Sequence, residues 1–551
     1  MQTRMIFKPD LIEAIDENDV SFMTNFCSSL QPENAADVLS DLTSDQIWTV
    51  FQHNKRSTCA KIFSRIVRDK QIEVVKTCPP AEVAKLLEEL PSDDRADILN
   101  EIQASVISTF CLELHPATAA DLLACLEPKK ILDVFRSCPN ELCAEIFTYL
   151  DRNDQIRIVE SSPRADVAKL LEEAAPDDRV DLLNDVKEEV DPQVAVELVQ
   201  LLSKEEQSDV QMLAKYPDEV CGAEMTTDFV SLREDMTVRE AIEEIRVQTH
   251  KMETVYYLYV LDAEGRLAGV VSAKDLLRRI GEQDVKIKEF MKSAQSLVTV
   301  NANQKREDAV LLVEKYDFLA IPVIDEKTNK MLGVITHDDV LDAAVEDLVE
   351  DAHRSAAVDP LGDETYLGSN LFWLARKRLT WLAILLFGAI TTALILKLFS
   401  DVSDRVVWLI AFLPMIVSTG GNSGGQSATL VITALATGEI KLKDWRVVVK
   451  RETSMGIILG LAMGALGLVN ALIIYGGKVP FLQLLIVPLS VLCIVFFSNL
   501  TGALLPLFFK KLKCDPAIMS NPFVAGLSDT IGTFIYMLLA LLLIAPLYPG
   551  S

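Results

Sequence analysis

The chain has 551 residues, room for three or four domains of about 150 residues each, and half of it is hydrophobic. A mean hydropathy of +0.24 beside 80 acidic residues and a net charge of −27 excludes one uniform soluble domain. From Leu371 onward there are 7 acidic and 14 basic residues, and before it 73 and 39, so an acidic part with a balance of −34 precedes an apolar part with a balance of +7. The acidic part lacks the Lys/Arg surplus that phosphate backbones require, which excludes nucleic acid as a partner and favours cations.

The N-terminus is charged through its first 19 residues and has no apolar core of a signal peptide. The ten cysteines stand singly, with no Cys-x-x-Cys pair, which argues against zinc knuckles and a disulfide scaffold and fits a reducing cytosol. The five histidines form no His-Glu-x-x-His motif, and no nucleophile–base constellation is present, so the sequence does not read as an enzyme.

Residues 82–100, from Glu82 through Val83, Leu86, Leu87 and Ile98 to Asn100, recur 84 residues later as 166–184, from Asp166 to Asn184. The apolar spacing is helical and a proline-containing break precedes each following helix. Residues 1–215 therefore read as a superhelical stack of short helices, with Glu88, Glu89, Asp93, Asp94, Asp177 and Asp178 on solvated faces.

From Cys221 the period shortens. Residues 255–262 and 267–272 predict one strand pair, and 319–325 and 332–336 a second, each followed by a helix opening on Ser272…Asp275 or Thr336…Asp339. This pattern resembles tandem α/β modules of the cystathionine-β-synthase (CBS) type, over 216–282 and 283–345. In nucleotide-binding members of that group the Ser/Thr-x-x-Asp positions hold phosphate and ribose; the same residues also cap helices. ATP or another adenosine nucleotide is thus one candidate ligand. An acidic helix follows, with Asp338, Asp339, Asp342, Glu346, Asp347, Glu350 and Asp351 opposed by Arg354. Like charges at i,i+3 and i,i+4 weaken a helix, and divalent cations relieve them. A connecting helix over 346–375, starting within the end of the second module, links it to the apolar part.

Residues 376–551 predict five membrane spans, within 379–396, 406–438, 453–477, 479–509 and 516–551. Arg376, Lys377 and Arg378, then Lys441, Lys443, Arg446, Lys450 and Arg451, then Lys510, Lys511 and Lys513 occupy alternate ends, while the opposite loops hold little beyond Arg405 and Lys478. The positive-inside rule places the N-terminal domains in the cytoplasm and the C-terminus outside. The second span carries Pro414, Gly420, Gly421, Asn422, Gly424, Gly425 and Gln426, a composition expected to break its hydrogen-bond ladder and line a wet cavity, or else to serve a close helix contact. The last carries Asp529, whose charge at the bilayer centre costs about 2.5–3.5 kcal/mol and calls for a partner. With no Lys or Arg inside the spans, a permeating cation is that partner.

Pro414, Gly420-Gly-Asn-x-Gly-x-Gln426, Asp515-Pro-Ala, Ser520-Asn-Pro and Ser528-Asp529, in this order of domains, resemble the MgtE family of magnesium channels and transporters over essentially the whole chain. The resemblance implies a homodimer in the cell membrane that takes up Mg2+ and is closed by cytosolic Mg2+, with a pore between the second and fifth spans of both subunits. It assigns Asp529, Asn521 and the backbone of Ala525 to the ion path beside Pro414, Gly421, Asn422 and Gln426. Asp515 falls at its cytoplasmic mouth, and Asp317, Asp339, Asp342, Asp347, Glu350 and Asp351 match regulatory Mg2+ ligands of the second module and the connecting, or plug, helix. Asp347 stands where a glutamate is common and Glu224 where an apolar residue is usual, and the helical domain looks longer than the family's. Rival readings are transport of Co2+, Mn2+ or Zn2+, cation exchange, and a membrane-anchored nucleotide sensor.

Overall fold

Helices of 8 to 10 residues start at Val20, Pro32, Ser44, Arg56, Arg68, Pro80, Ser92, Ala104, Pro116, Pro128, Asn140, Arg152, Arg164 and Pro176, a new one every 12 residues. The 84-residue duplication legible in the sequence is seven of these units. Several open on proline, whose missing N–H costs nothing in a first turn. Each buries a short apolar stripe, and an apolar residue in the break recurs at the same period, as at Leu42, Ile66, Leu90, Ile102, Leu126 and Leu150. Pro32–Leu39 packs on Arg56–Phe63, which packs on Pro80–Glu88, while Ser44–Gln52 packs on Arg68–Thr77, so alternate helices form two layers of one solenoid. The copies agree in detail: Gln71 Nε2 donates to the Phe63 carbonyl at 2.5 Å, and Gln155 Nε2 to that of Phe147 at 2.8 Å. A π-helical turn, Val186–Val190, shifts the register by four residues before Pro192–Leu201.

The computed structural model describes residues 2–248, 254–362, 366, 369–512 and 521–543, and its contacts divide the chain into two units, 1–343 and 344–551. In the first unit the solenoid is followed by two sheets. Strands β1 (Phe229–Arg233), β2 (Thr254–Leu261), β3 (Leu267–Ser272) and β4 (Lys292–Ser293) lie in that order, β1 parallel to β2 and the rest antiparallel. Strands β5 (Val300–Asn301), β6 (Ala320–Ile324) and β7 (Met331–Thr336) repeat the parallel-then-antiparallel plan. Residues ahead of β1 return to the second sheet, where Thr226 bridges Val334. Gly333 makes this possible, because a Cβ there would lie 2.5 Å from the Thr226 carbonyl oxygen. The acidic helix is continuous from His337 to Ser355, beginning in the first unit and ending in the second.

Among the described residues the second unit holds five helices long and apolar enough to cross a membrane: Leu371–Leu398, Val407–Ala436, Leu442–Tyr475, Phe481–Lys511 and Asn521–Leu543. One expectation is corrected. The second span does not break at its glycines; Leu413–Ala436 is an uninterrupted α-helix. Pro414 sits in its first turn, where no hydrogen bond is lost, and the glycines admit neighbouring helices. The third span uses the same device at Gly456, Gly460 and Gly464. A Cβ at Gly460 would come within 3.0 Å of the Leu492 carbonyl oxygen on the fourth span, and one at Gly464 within 2.9 Å of that of Pro488.

A solenoid with a 12-residue unit tolerates loss of whole units because each neighbour interface is replaced by an equivalent one. Deleting residues 20–103, one 84-residue period, is expected to leave a chain with a cooperative thermal transition by circular dichroism. Deleting half a unit within the same region is expected to abolish that transition; equal outcomes for the two deletions would contradict the periodicity.

Candidate functional site

Asn521, Ala525 and Asp529 are spaced i, i+4, i+8 on the fifth span, so they share one face of Asn521–Leu543. That face lies along the glycines of the second span: a Cβ on Gly421 would sit 3.3 Å from Ala525 Cβ and 3.3 Å from Asp529 Oδ1, and one on Gly425 would sit 3.7 Å from Asn521 Oδ1. Glycine is thus what lets a carboxylate and an amide stand against helix backbone. Thr429 Oγ1 donates to Asn521 Oδ1 at 3.1 Å and adds a hydroxyl that sequence reasoning missed. Beside this line, Pro414, Ser418, Asn422 and Gln426 follow one another at four-residue spacing and are all exposed on the single chain. Hydrocarbon cannot satisfy two amides and a hydroxyl, so the stripe needs water or a second protein surface.

The opposite face of the second span is tied down. Ser427 Oγ donates to Glu452 Oε2 at 2.8 Å and lies 3.0 Å from the Asn499 carbonyl oxygen, and Ser423 Oγ donates to Asn499 Oδ1. Glu452 is only 9% exposed. In the sequence it adjoins Lys450 and Arg451 and is indistinguishable from a loop charge, so only packing reveals this buried network between three spans.

In the first unit, acids of the solenoid meet those of the second module. Crowding by protein, with Asp342 and Asp338 facing it, pushes the Asp178 carboxyl up against the pull of Arg152. Burial, then Glu224, Asp178 and Asp185, raise Asp181 to about 7. Burial raises Asp339 to about 6, helped by Asp338 and Asp178 and opposed by Thr336, and burial and Asp338 raise Asp342. Solvent reaches Asp178, Asp181 and Asp342, so water offsets part of this crowding, while Asp339 is half-buried. Arg152 is held by Asp185 at 2.6 Å. Among the described residues no three His, Cys, Asp or Glu side chains stand close enough to cage a metal ion, so these acids repel across a gap. The family resemblance assigns Asp339 and Asp342 as ligands; the sequence places Asp178 on a solvated face and carries no signal for Asp181.

The other expected residues are placed as follows. Ser272 Oγ accepts from Asp275 N at 3.1 Å, capping its helix, and donates to Asp275 Oδ2 at 2.7 Å, while Asp339 Oδ2 accepts from Thr336 N at 3.2 Å and from Thr336 Oγ1 at 2.5 Å. A ribose would have to displace those bonds. Asp317 ends Arg306–Tyr316 in the left-handed conformation, φ +53°, between stacked Tyr316 and Phe318. Glu224 is no surface substitute for an apolar residue: it pairs with Arg306 at 3.2 Å. Glu350 pairs with Arg354 on the acidic helix, which also carries Asp347 and Asp351. Asp515 lies outside the described residues.

Comparison with known proteins decides the family. Residues 413–539 match the family model described as the MgtE divalent cation transporter, 30–112 and 114–219 each match the MgtE intracellular N domain, and 219–282 and 287–346 each match the CBS domain. The magnesium transporter MgtE of Thermus thermophilus is 36% identical over 450 residues, covering 81% of this chain and 97% of the relative. The chain belongs to the MgtE family. The magnesium transporter MgtE of Enterococcus faecalis is 32% identical over 61% of this chain and 72% of its own length. A crystal structure of the soluble part of a magnesium transporter aligns at 29% identity over 47% of this chain and 99% of that chain, with a TM-score of 0.42. The two N-domain matches begin 84 residues apart, so this MgtE chain carries that domain's pattern twice, and the second copy holds Asp178 and Asp181.

Carboxyls raised in the folded chain hold protons that the unfolded chain has released, so their contribution to stability falls as pH rises from the ordinary carboxylate range through about 6 for Asp339 and about 7 for Asp181. In the absence of divalent cations, the thermal midpoint of the full chain is expected to drop between about pH 5 and about pH 8, and Asp178→Asn is expected to flatten that slope. A wild-type midpoint that rises across this window by scanning fluorimetry, or an identical slope in the variant, would contradict the cluster.

Proposed function

We propose that this chain is a Mg2+ transporter of the channel type that works as a homodimer. Its N-terminal domains face the cytoplasm and its C-terminus lies outside, in keeping with the alternation of basic span ends. The functional divisions are a helical domain (1–215), two CBS modules (216–282 and 283–345), a connecting plug segment (346–375) and a membrane domain (376–551). The observation that carries the reading is the line Asn521, Ala525 and Asp529 along Gly421 and Gly425, edged by the exposed amides of Asn422 and Gln426. In a dimer closed over this face the amides meet water instead of lipid, and two Asp529 carboxylates oppose each other.

Mg2+ sheds its waters reluctantly. A pore that holds the hydrated ion through its water shell needs charge and room more than direct ligands. At about 5 Å and an effective dielectric of about 40, one unit-charge pair is worth roughly 1.7 kcal/mol; two carboxylates then attract Mg2+ by about 6–7 kcal/mol and Na+ by about half that. Asn521, the Ala525 backbone and Asn422 supply neutral oxygens for the waters, and Asp515 extends the negative potential at the cytoplasmic mouth.

Closure follows from linkage. Asp178, Asp338, Asp339 and Asp342 repel when cytosolic Mg2+ is scarce; Mg2+ bridging them, with Asp317 and with Asp347, Glu350 and Asp351 on the plug helix, stabilises the closed arrangement. ATP or a related nucleotide at Ser272/Asp275 or Thr336/Asp339 is a secondary ligand that would compete with the caps, and at Asp339 with the cation.

Asp529→Ala is expected to cut Mg2+ flux into proteoliposomes by well over about 100-fold with the protein still folded and dimeric. Near-normal flux would remove the pore assignment, and equal flux of Co2+, Mn2+ or Zn2+ in the parent chain would favour a general divalent transporter. Neutralising Asp339, Asp342 and Glu350 together is expected to leave flux running at millimolar internal Mg2+, where the parent closes. Unchanged closure would refute the clamp.

A further inference from the structure

The buried stripe of the third span runs from Val448 to Ala471 and is otherwise valine, glycine or alanine, yet its second position is Glu452. Along it Gly456, Gly460 and Gly464 meet Phe496, Leu492 and Pro488 of the fourth span in turn, an antiparallel register that brings position 452 to the turn holding Asn499. Lys450 and Arg451 are exposed, whereas Glu452 turns away from them and accepts from Ser427 Oγ of the second span at 2.8 Å. Ser427 Oγ also stands 3.0 Å from the Asn499 carbonyl oxygen, and Ser423 Oγ donates to Asn499 Oδ1. The third and fourth spans thus hold two successive turns of the second.

Each residue turns an α-helix by about 100°, so Ser423 and Ser427, two residues on from Gly421 and Gly425, face roughly 200° away from them. The glycines look at Ala525, Asp529 and Asn521 of the fifth span, and the serines look at Asn499 and Glu452. Rotation of the second span by one residue would bring Asn422 and Gln426 toward the fifth span. There is no room for them: even a Cβ at Gly421 would stand 3.3 Å from both Ala525 Cβ and Asp529 Oδ1.

We propose that Glu452 is a positioning residue for Mg2+ transport: bonded to Ser427, it fixes the rotation and height of the second span that set Gly421 and Gly425 against Asp529 and Asn521. This role rests on the ion path proposed above. Glu452 does not touch the ion; it acts through the second span. An apolar side chain in its place would stabilise the bundle at least as well. What the carboxyl group adds is a directional bond that selects one register, as a buried polar residue does between paired helices.

The test measures Mg2+ flux of the full chain in proteoliposomes, per folded protein, over a range of Mg2+ concentrations. Glu452→Ala and Ser427→Ala are each expected to lower the maximal flux about tenfold and to leave the half-saturating Mg2+ concentration within about twofold, because Asp529 is untouched. The double variant is expected to be no worse than either single one. Glu452→Gln keeps the length of the side chain and an oxygen for the Ser427 hydroxyl, and is expected to recover at least about half of the parent's flux. Ser427→Ala removes a single hydroxyl and decides the matter if Glu452→Ala does not fold. The role is overturned if Ser427→Ala reaches the parent's maximal flux, if the two single losses multiply in the double variant, if the half-saturating concentration moves instead of the maximal flux, or if Glu452→Gln stays as low as Glu452→Ala. Asp529→Ala in the same assay separates the two readings. Blocked flux there, with Glu452→Ala and Ser427→Ala at the parent's rate, removes the positioning role and keeps the ion path; near-normal flux there removes both.

Discussion

A carboxylate at bilayer depth is the constraint around which the membrane unit is organised. Asp529 is tolerated because Gly421 leaves room for its oxygen against helix backbone, and because the adjoining face of the second span carries amides instead of leucines. The second span is in turn held from behind by the Ser423, Ser427, Asn499 and Glu452 network and by the close crossing of the third and fourth spans. Small residues thus serve two purposes here. On one face they admit a polar line, and on the others they let backbones approach until dispersion and a few hydrogen bonds stabilise the bundle.

The first unit applies the same electrostatics in the opposite sense. In the proposed ion path one acid per chain would be satisfied by a passing cation; in the first unit several acids face one another and keep their protons to higher pH. Under the proposed closure, a divalent ion that enters would replace repulsion with attraction. A duplicated domain can place one copy against the modules while the other extends the stack.

Much of this was legible in the sequence. The strand pairs, the five spans and the isolated acid Asp529 follow from periodicity, charge and hydropathy, whereas Asp339 and Asp342 stand out as regulatory acids only through the family resemblance. The 84-residue duplication was visible because residues 82–100 and 166–184 kept their side chains; the 12-residue unit beneath it was hidden because each unit conserves only apolar character. The integrity of the second span was misjudged, since composition alone cannot tell a glycine that breaks a helix from one that packs it. Glu452 and Asp181 owe their surroundings to tertiary contact and have no local signature.

The most direct measurement of the central claim is aqueous accessibility along the second and fifth spans, by single-cysteine scanning with a charged, membrane-impermeant thiol reagent after the native thiols are blocked. Labelling is expected at positions 521, 525 and 529 and at 418, 422 and 426, slowed by Mg2+, with 524, 528 and 532 unreactive. Labelling of 524, 528 and 532 instead, or reactivity at none of the nine positions, would contradict a water-filled path along Asp529.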